Sequence, residues 1–127
     1  MNYIITSILS VFFMLMSILS VPFNELENAF SKGDATRVIN YGTAKMLISI
    51  EGKEGVYSRS QGTQVLSSFF KSNPPKSFSF SFKGKDEGAS TFAVGDYQSN
   101  KKYRVSIKFK KIQNEHQIES LTIASFP

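Results

Sequence analysis

From Ser77 to Lys83 polar and apolar residues alternate without a break: Ser77, Phe78, Ser79, Phe80, Ser81, Phe82, Lys83. Successive side chains on a strand point to opposite faces of a sheet, so this pattern predicts a strand with three phenylalanines on one side and serines on the other. Serine gains little from burial under a second layer. The sheet therefore has one apolar and one wet face, as antiparallel sheets often do. Just upstream, Ser58 and Gln61 have the spacing of a capping box, in which each side chain satisfies the backbone N–H of the other. Val65, Leu66, Phe69 and Phe70 then fall on one helical face. Asn73-Pro74-Pro75 ends that helix, because proline lacks an N–H and forces the residue before it out of the α region. The Phe69–Phe70 face is the expected cover for the phenylalanine ladder.

The same reading extends in both directions. Phe23, Leu26, Ala29 and Phe30 form a helical stripe that begins after Pro22 and stops at Lys32-Gly33, with Gly33 in the left-handed conformation. Asp34 caps a short helix from Ala35 to Tyr41, with Val38 and Ile39 inward. Ala44–Ile50 is a strand, Glu51–Gly55 a turn, and Val56-Tyr57 a short strand leading into the capped helix. After the phenylalanine strand come Ser90–Tyr97, with Phe92 and Val94 facing in, then Lys102–Lys110, with Tyr103, Val105, Ile107 and Phe109 facing in. In the last strand, His116–Ser125, Ile118 differs in parity from Leu121 and Ile123, so a bulge is expected near Glu119-Ser120. The order is helix, helix, strand, strand, helix and a four-strand meander. It predicts an α+β fold: a cone-shaped, curved antiparallel sheet of about six strands wrapped around three helices, open at its mouth.

The chain has 127 residues, enough for one globular domain. Residues 1–23 carry no charged side chain, and the run from Tyr3 to Val21 is mostly Ile, Leu, Met, Phe and Val. Three readings stay open for residues 1–21: a signal peptide cleaved near Ser20, an uncleaved inner-membrane anchor over residues 3–21, or a buried core helix. The first two export residues 22–127 to the periplasm or cell envelope. There is no cysteine, so the exported domain rests on its core alone.

The formal net charge of +5 lies wholly after residue 23. Arg104, Lys108 and Lys110 share the solvent face of their strand. Such a face either keeps the sheet soluble and blocks edge pairing, or attracts anionic glycans or lipid headgroups. Export leaves nucleic acid out of account, and membrane contact is confined to residues 1–21 where these are retained.

Several short elements resemble a known family. They are Phe30-Ser31-Lys32-Gly33-Asp34 between the first helices, Val56-Tyr57-Ser58 at the entry to the third helix, Phe69-Phe70 followed by Asn73-Pro74-Pro75-Lys76-Ser77-Phe78, and the Tyr103-Arg104-Val105 strand. Over about residues 22 to 125 the chain resembles an exported Bacteroidetes domain of unknown function (DUF4783) with the nuclear transport factor two-like, or cystatin-like, fold. The resemblance implies a fold and a compartment. It brings no activity with it, because this cone serves enzymes and plain binding modules alike.

The residues offer little chemistry. His116, the single histidine, stands beside Asn114 and Glu115 at a turn and is expected to be exposed. Asp96 shares parity with Phe92 and Val94 and is the best inward-facing acid, with Tyr41, Tyr57, Tyr97 or Tyr103 as a hydrogen-bond donor. No Ser/His/Asp set, zinc ligand set or phosphate-binding glycine loop can be assigned, and no cofactor is expected. An apolar pocket at the cone mouth would be lined by Phe30, Tyr41, Tyr57, Phe69, Phe70, Phe78, Phe80, Phe82 and Asp96; the alternative is a fully packed aromatic core. The expected function is non-enzymatic binding of an apolar small molecule or an envelope protein. A small enzyme built on Asp96 and a tyrosine, or an anion-binding surface at Arg104, Lys108 and Lys110, are the alternatives.

Overall fold

The computed structural model describes residues 20–86 and 88–126. The proposed signal or anchor segment lies outside them, save for its last two residues. Helix α1 spans Phe23–Lys32, α2 Ala35–Asn40 and α3 Arg59–Ser72; the strands are β1 Gly42–Ile50, β2 Lys53–Ser58, β3 Ser77–Lys83, β4 Ser90–Gln98, β5 Lys102–Ile112 and β6 Glu115–Ser125. Among the described residues no helix is long and apolar enough to cross a membrane.

Local chemistry sets the boundaries. Ser58 Oγ accepts from the Gln61 N–H at 3.3 Å, and Gln61 Oε1 accepts from the Ser58 N–H at 3.2 Å, closing the capping box of α3. Asp34 Oδ1 accepts from the Arg37 N–H at 3.2 Å and starts α2. Gly33 ends α1 with φ of 66°, a left-handed conformation that costs glycine nothing. Its bare α-carbon also lies against the Pro75 ring, where an added Cβ would be only 3.3 Å from two ring carbons.

The six strands form one sheet in the order β2-β1-β6-β5-β4-β3. The sheet is mixed where the sequence suggested antiparallel pairing throughout: β1 runs parallel to β6. A parallel pair needs a long crossover, and everything from β2 to β5 serves as one. The bulge expected near Glu119-Ser120 is present. Lys108 pairs with Ser120 and Phe109 with Ile118, so Glu119 is the extra residue that turns Ile118, Leu121 and Ile123 to one side.

The helices cover one face. Phe30 is fully buried on α1 and stacks on Phe78 at 4.7 Å between ring centroids. Phe23 meets Phe80 and Phe109 edge-on at 5.4 and 6.0 Å. The ladder is therefore covered mainly by α1. The expected cover, Phe69 and Phe70 on α3, turns to Tyr97 and Tyr103, with Phe69 at 5.5 and 5.1 Å from those rings.

Two expectations about facing are corrected. In β4 the buried residues are Thr91, Ala93, Gly95 and Tyr97, so Phe92, Val94 and Asp96 point outward. Bulk does not decide the parity here. Phe80 lies opposite Gly95, and a Cβ on Gly95 would run into the Phe78 ring, so the aromatic ladder needs small residues beneath it. The second correction is Phe82. Phe80 pairs with Gly95 but Phe82 with Val94, a register shift that leaves Ser81 as the extra residue and moves Phe82 to the outer face.

Candidate functional site

The two ends of the helix–sheet sandwich differ in their polar chemistry. At one end Asn73, which ends α3, acts as a hub. Its own N–H and Nδ2 donate to the Phe69 carbonyl at 2.8 and 3.2 Å. The Tyr97 hydroxyl donates to its carbonyl, and the Tyr103 hydroxyl to its Oδ1 at 2.8 Å. Ser99 Oγ donates to the Pro74 carbonyl at 2.7 Å, and the Lys76 N–H to the Gln98 carbonyl at 2.7 Å. Burial, and then the neighbouring Tyr103, hold the Tyr97 phenol above its ordinary range. The Asn-Pro-Pro element thus ties helix to sheet, and two of the four tyrosines considered as pocket donors, Tyr97 and Tyr103, are used as structural braces.

At the other end lies a cleft of about 410 Å³. It is bordered by the approach to and first turn of α1 (Ser20, Pro22, Glu25), the end of α2 (Asn40, Tyr41), Arg59 at the head of α3, and Glu115, His116 and Gln117 at the start of β6. Three contacts fix these parts together. The Arg59 guanidinium donates from Nε and Nη2 to the Gly42 carbonyl at 3.2 and 2.9 Å. The Ile118 N–H donates to the Tyr41 carbonyl at 2.7 Å. Gln113 and Asn114 take φ of 50° and 65°, the two-residue reversal that pairs Ile112 with Glu115 and starts β6.

His116 is the polar centre of this end. The sequence suggested an exposed side chain at a turn, but the residue is 6% exposed. It shares parity with Ile118 and so points to the helix-covered face. Its Nε2–H donates to Asp86 Oδ1, in the β3–β4 loop, at 2.8 Å. Its Nδ1 is buried with no hydrogen-bond partner. An unpaired buried polar nitrogen of this kind costs about 1–3 kcal/mol.

Of the residues expected to line a pocket, only Tyr41 borders this cleft. Phe30, Phe69, Phe70 and Phe78 are buried in the aromatic core, with Phe80 and Tyr57 packed against it. Phe82 and Asp96 stand on the opposite face of the sheet. Asp96 lies across from Arg104, on the face away from the inward-facing Tyr97 and Tyr103. Arg104, Lys108 and Lys110 are exposed on β5, as their alternation implied. Among the described residues no group of three or more His, Cys, Asp or Glu is placed to hold a metal ion.

The fold defines a class. Solved structures with the same architecture include a protein of unknown function from Shewanella baltica with a nuclear transport factor two-like fold, at 12% identity over 94% of this chain and 96% of that one, TM-score 0.64. The chain belongs to the family described as Domain of unknown function (DUF4783), whose model matches residues 23–124. Two solved members come from Bacteroides uniformis and Bacteroides fragilis. Each is 25% identical; the first covers 85% of this chain and 99% of its own with a TM-score of 0.79, the second 84% and 100% with 0.77. A comparison with curated proteins finds no match.

Proposed function

We propose that this domain is an exported, non-enzymatic binding module that seats a small polar molecule in the cleft at the His116 end. The observation carrying this reading is the buried Nδ1 of His116, which lacks a protein partner beside a cleft also edged by Tyr41 and Arg59. The aromatic core leaves the earlier apolar ligand no seat among Phe30, Phe70 and Phe78. The cleft instead offers one cation, Arg59, and two carboxylates, Glu25 and Glu115. Such a rim suits a molecule that carries both charges, such as a free amino acid or a short peptide terminus. Export rests on the uncharged apolar run that precedes the domain.

The non-enzymatic half of the reading is supported by the placement of Asp96. The carboxylate that served as the candidate base is on the face away from the tyrosines, and the hydroxyls of Tyr97 and Tyr103 are engaged by Asn73. Thermal denaturation of residues 22–127 against a panel of amino acids and dipeptides tests the seat. A saturable rise in melting temperature that disappears in Arg59→Ala and His116→Leu is expected. Turnover of any panel member, or a rise that both variants retain, would overturn the reading. N-terminal sequencing of the native protein decides between release and anchoring.

A further inference from the structure

The outer face of the sheet carries a second constellation that the cleft does not use. Phe82 and Phe92 are 48% and 53% exposed and stack on one another at 5.0 Å between centroids. Their placement follows from the Ser81 bulge and from the small-residue requirement beneath Phe78. Strand pairing sets them at the head of two rows across the sheet. One row runs Phe82, Val94, Ser106, Thr122; the next runs Phe92, Lys108, Ser120. Between the rows lies a shallow depression of about 280 Å³, edged by Phe92, Lys108 and the hydroxyl side chains of Ser90, Ser106, Ser120 and Thr122. Arg104 and Lys110 flank it on β5.

We infer that this face binds an acidic polysaccharide, one sugar ring seated in the hydroxyl-lined depression, with the exposed aromatic pair as a stacking wall and Arg104, Lys108 and Lys110 meeting the acid groups. Each part of the surface matches a part of that ligand. A pyranose has an apolar face for the aromatic ring and hydroxyl edges for serine and threonine. Its carboxylate or sulfate groups fall on a strand whose outward residues are basic at four of the five positions from Lys102 to Lys110, Ser106 being the exception. The volume is below the roughly 300–1,000 Å³ of an enclosed small-molecule pocket, which suits one unit of a longer chain lying across an open sheet. A second copy of this face fits poorly. Asp96 and Glu119 are its nearby acids, and Lys108 already pairs with Glu119 at 3.7 Å, so two such faces would repel. A bilayer has no use for a recessed seat lined with short hydroxyl side chains.

The experiment uses the 22–127 domain with a polygalacturonate oligomer of defined length, a neutral dextran of similar length and phosphatidylglycerol vesicles. Calorimetry is expected to show binding to the acidic oligomer, weakened by rising salt, and none to dextran. Phe92→Ala is expected to weaken it about tenfold, the loss of one aromatic contact, with an unchanged melting temperature because the ring is exposed. Lys108→Ala is expected to weaken binding and to reduce its salt dependence. Equal affinity of Phe92→Ala and the parent chain would overturn the stacking platform. Binding to the vesicles without the oligomer would make the face a membrane surface. Sedimentation as a dimer that Phe92→Ala dissolves would make it a self-association surface. Absence of binding to the oligomer at low salt would overturn the inference outright.

Discussion

The Asn73 end and the His116 end of this domain hold the same helices against the same sheet, yet treat buried polarity in opposite ways. At Asn73 every polar atom of the hub has a partner, two of them tyrosine hydroxyls reaching from neighbouring strands. At His116 one ring nitrogen is held by Asp86 and the other has nothing. A satisfied network fixes a structure, whereas an unsatisfied group beside an opening trades stability for a place where something else can complete it. The comparison separates the polar residues that brace the fold from the one that the fold leaves without a partner.

Five measurements break or sharpen that contrast. The largest effect belongs to the core that joins the two ends. Phe78→Ala is expected to cost about 3–5 kcal/mol in chemical denaturation, while Phe82→Ala, two strand periods away in the same alternation, should be nearly silent. Equal costs would mean that the Ser81 bulge does not turn Phe82 outward. Next comes the closed end. Asn73→Ala strands the Tyr103 hydroxyl and should cost about 1–3 kcal/mol; suppression of that cost in Tyr103→Phe would show the pair to be the cause. At the open end, Ser58→Ala removes the cap that starts α3 and should cost about 1 kcal/mol. Ligand affinity at Arg59, the next residue, should fall with it. His116→Leu, by contrast, removes an unsatisfied nitrogen and should change stability by less than about 1 kcal/mol in either direction, while abolishing the ligand-dependent rise in melting temperature. A loss as large as that of Asn73→Ala would place His116 with the structural hub instead.

The effect without weight at neutral pH is the titration of Tyr97. Its phenol is raised in the folded state, so the neutral form is favoured by folding. That contribution is fully present below the unfolded value near pH 10 and is lost as pH rises toward the native one. The alkaline limb of a stability profile should therefore fall from about pH 10 upward, and Tyr97→Phe should flatten it. An unchanged limb would point to the lysines as its source.

Much of this fold was legible because local chemistry and tertiary packing agree. The Ser58 capping box, the left-handed Gly33, the Asp34 cap, the proline stop and the Glu119 bulge are each written in a few adjacent residues, and each is found. The face of β4 was illegible for the opposite reason. Phe92 and Val94 read as core by bulk, but Gly95 is required inward by the Phe78 ring arriving from β3, and Ala93 shares its parity. That error carried Asp96 to the wrong side. The cleft was harder still, because it is assembled from the ends of α1, α2 and β6 and the head of α3, which no spacing connects. One signal was available: His116 and Ile118 share a parity, and an inward Ile118 carries His116 with it. Its neighbours at a turn suggested exposure, and strand parity prevailed.

The parallel pairing of β1 with β6 has a consequence for how the chain is made. β6 lies between β1 and β5, near the middle of the sheet, yet follows all other strands in the chain. Until it is made, β2-β1 and β5-β4-β3 have no shared ladder, and Ile48 and Ile50 lack their partners Leu121 and Ile123. Contacts of such long sequence separation form late and slowly. Synthesis of nearly the whole domain can thus run ahead of its folding, leaving the two halves of the sheet unjoined until the last strand is made.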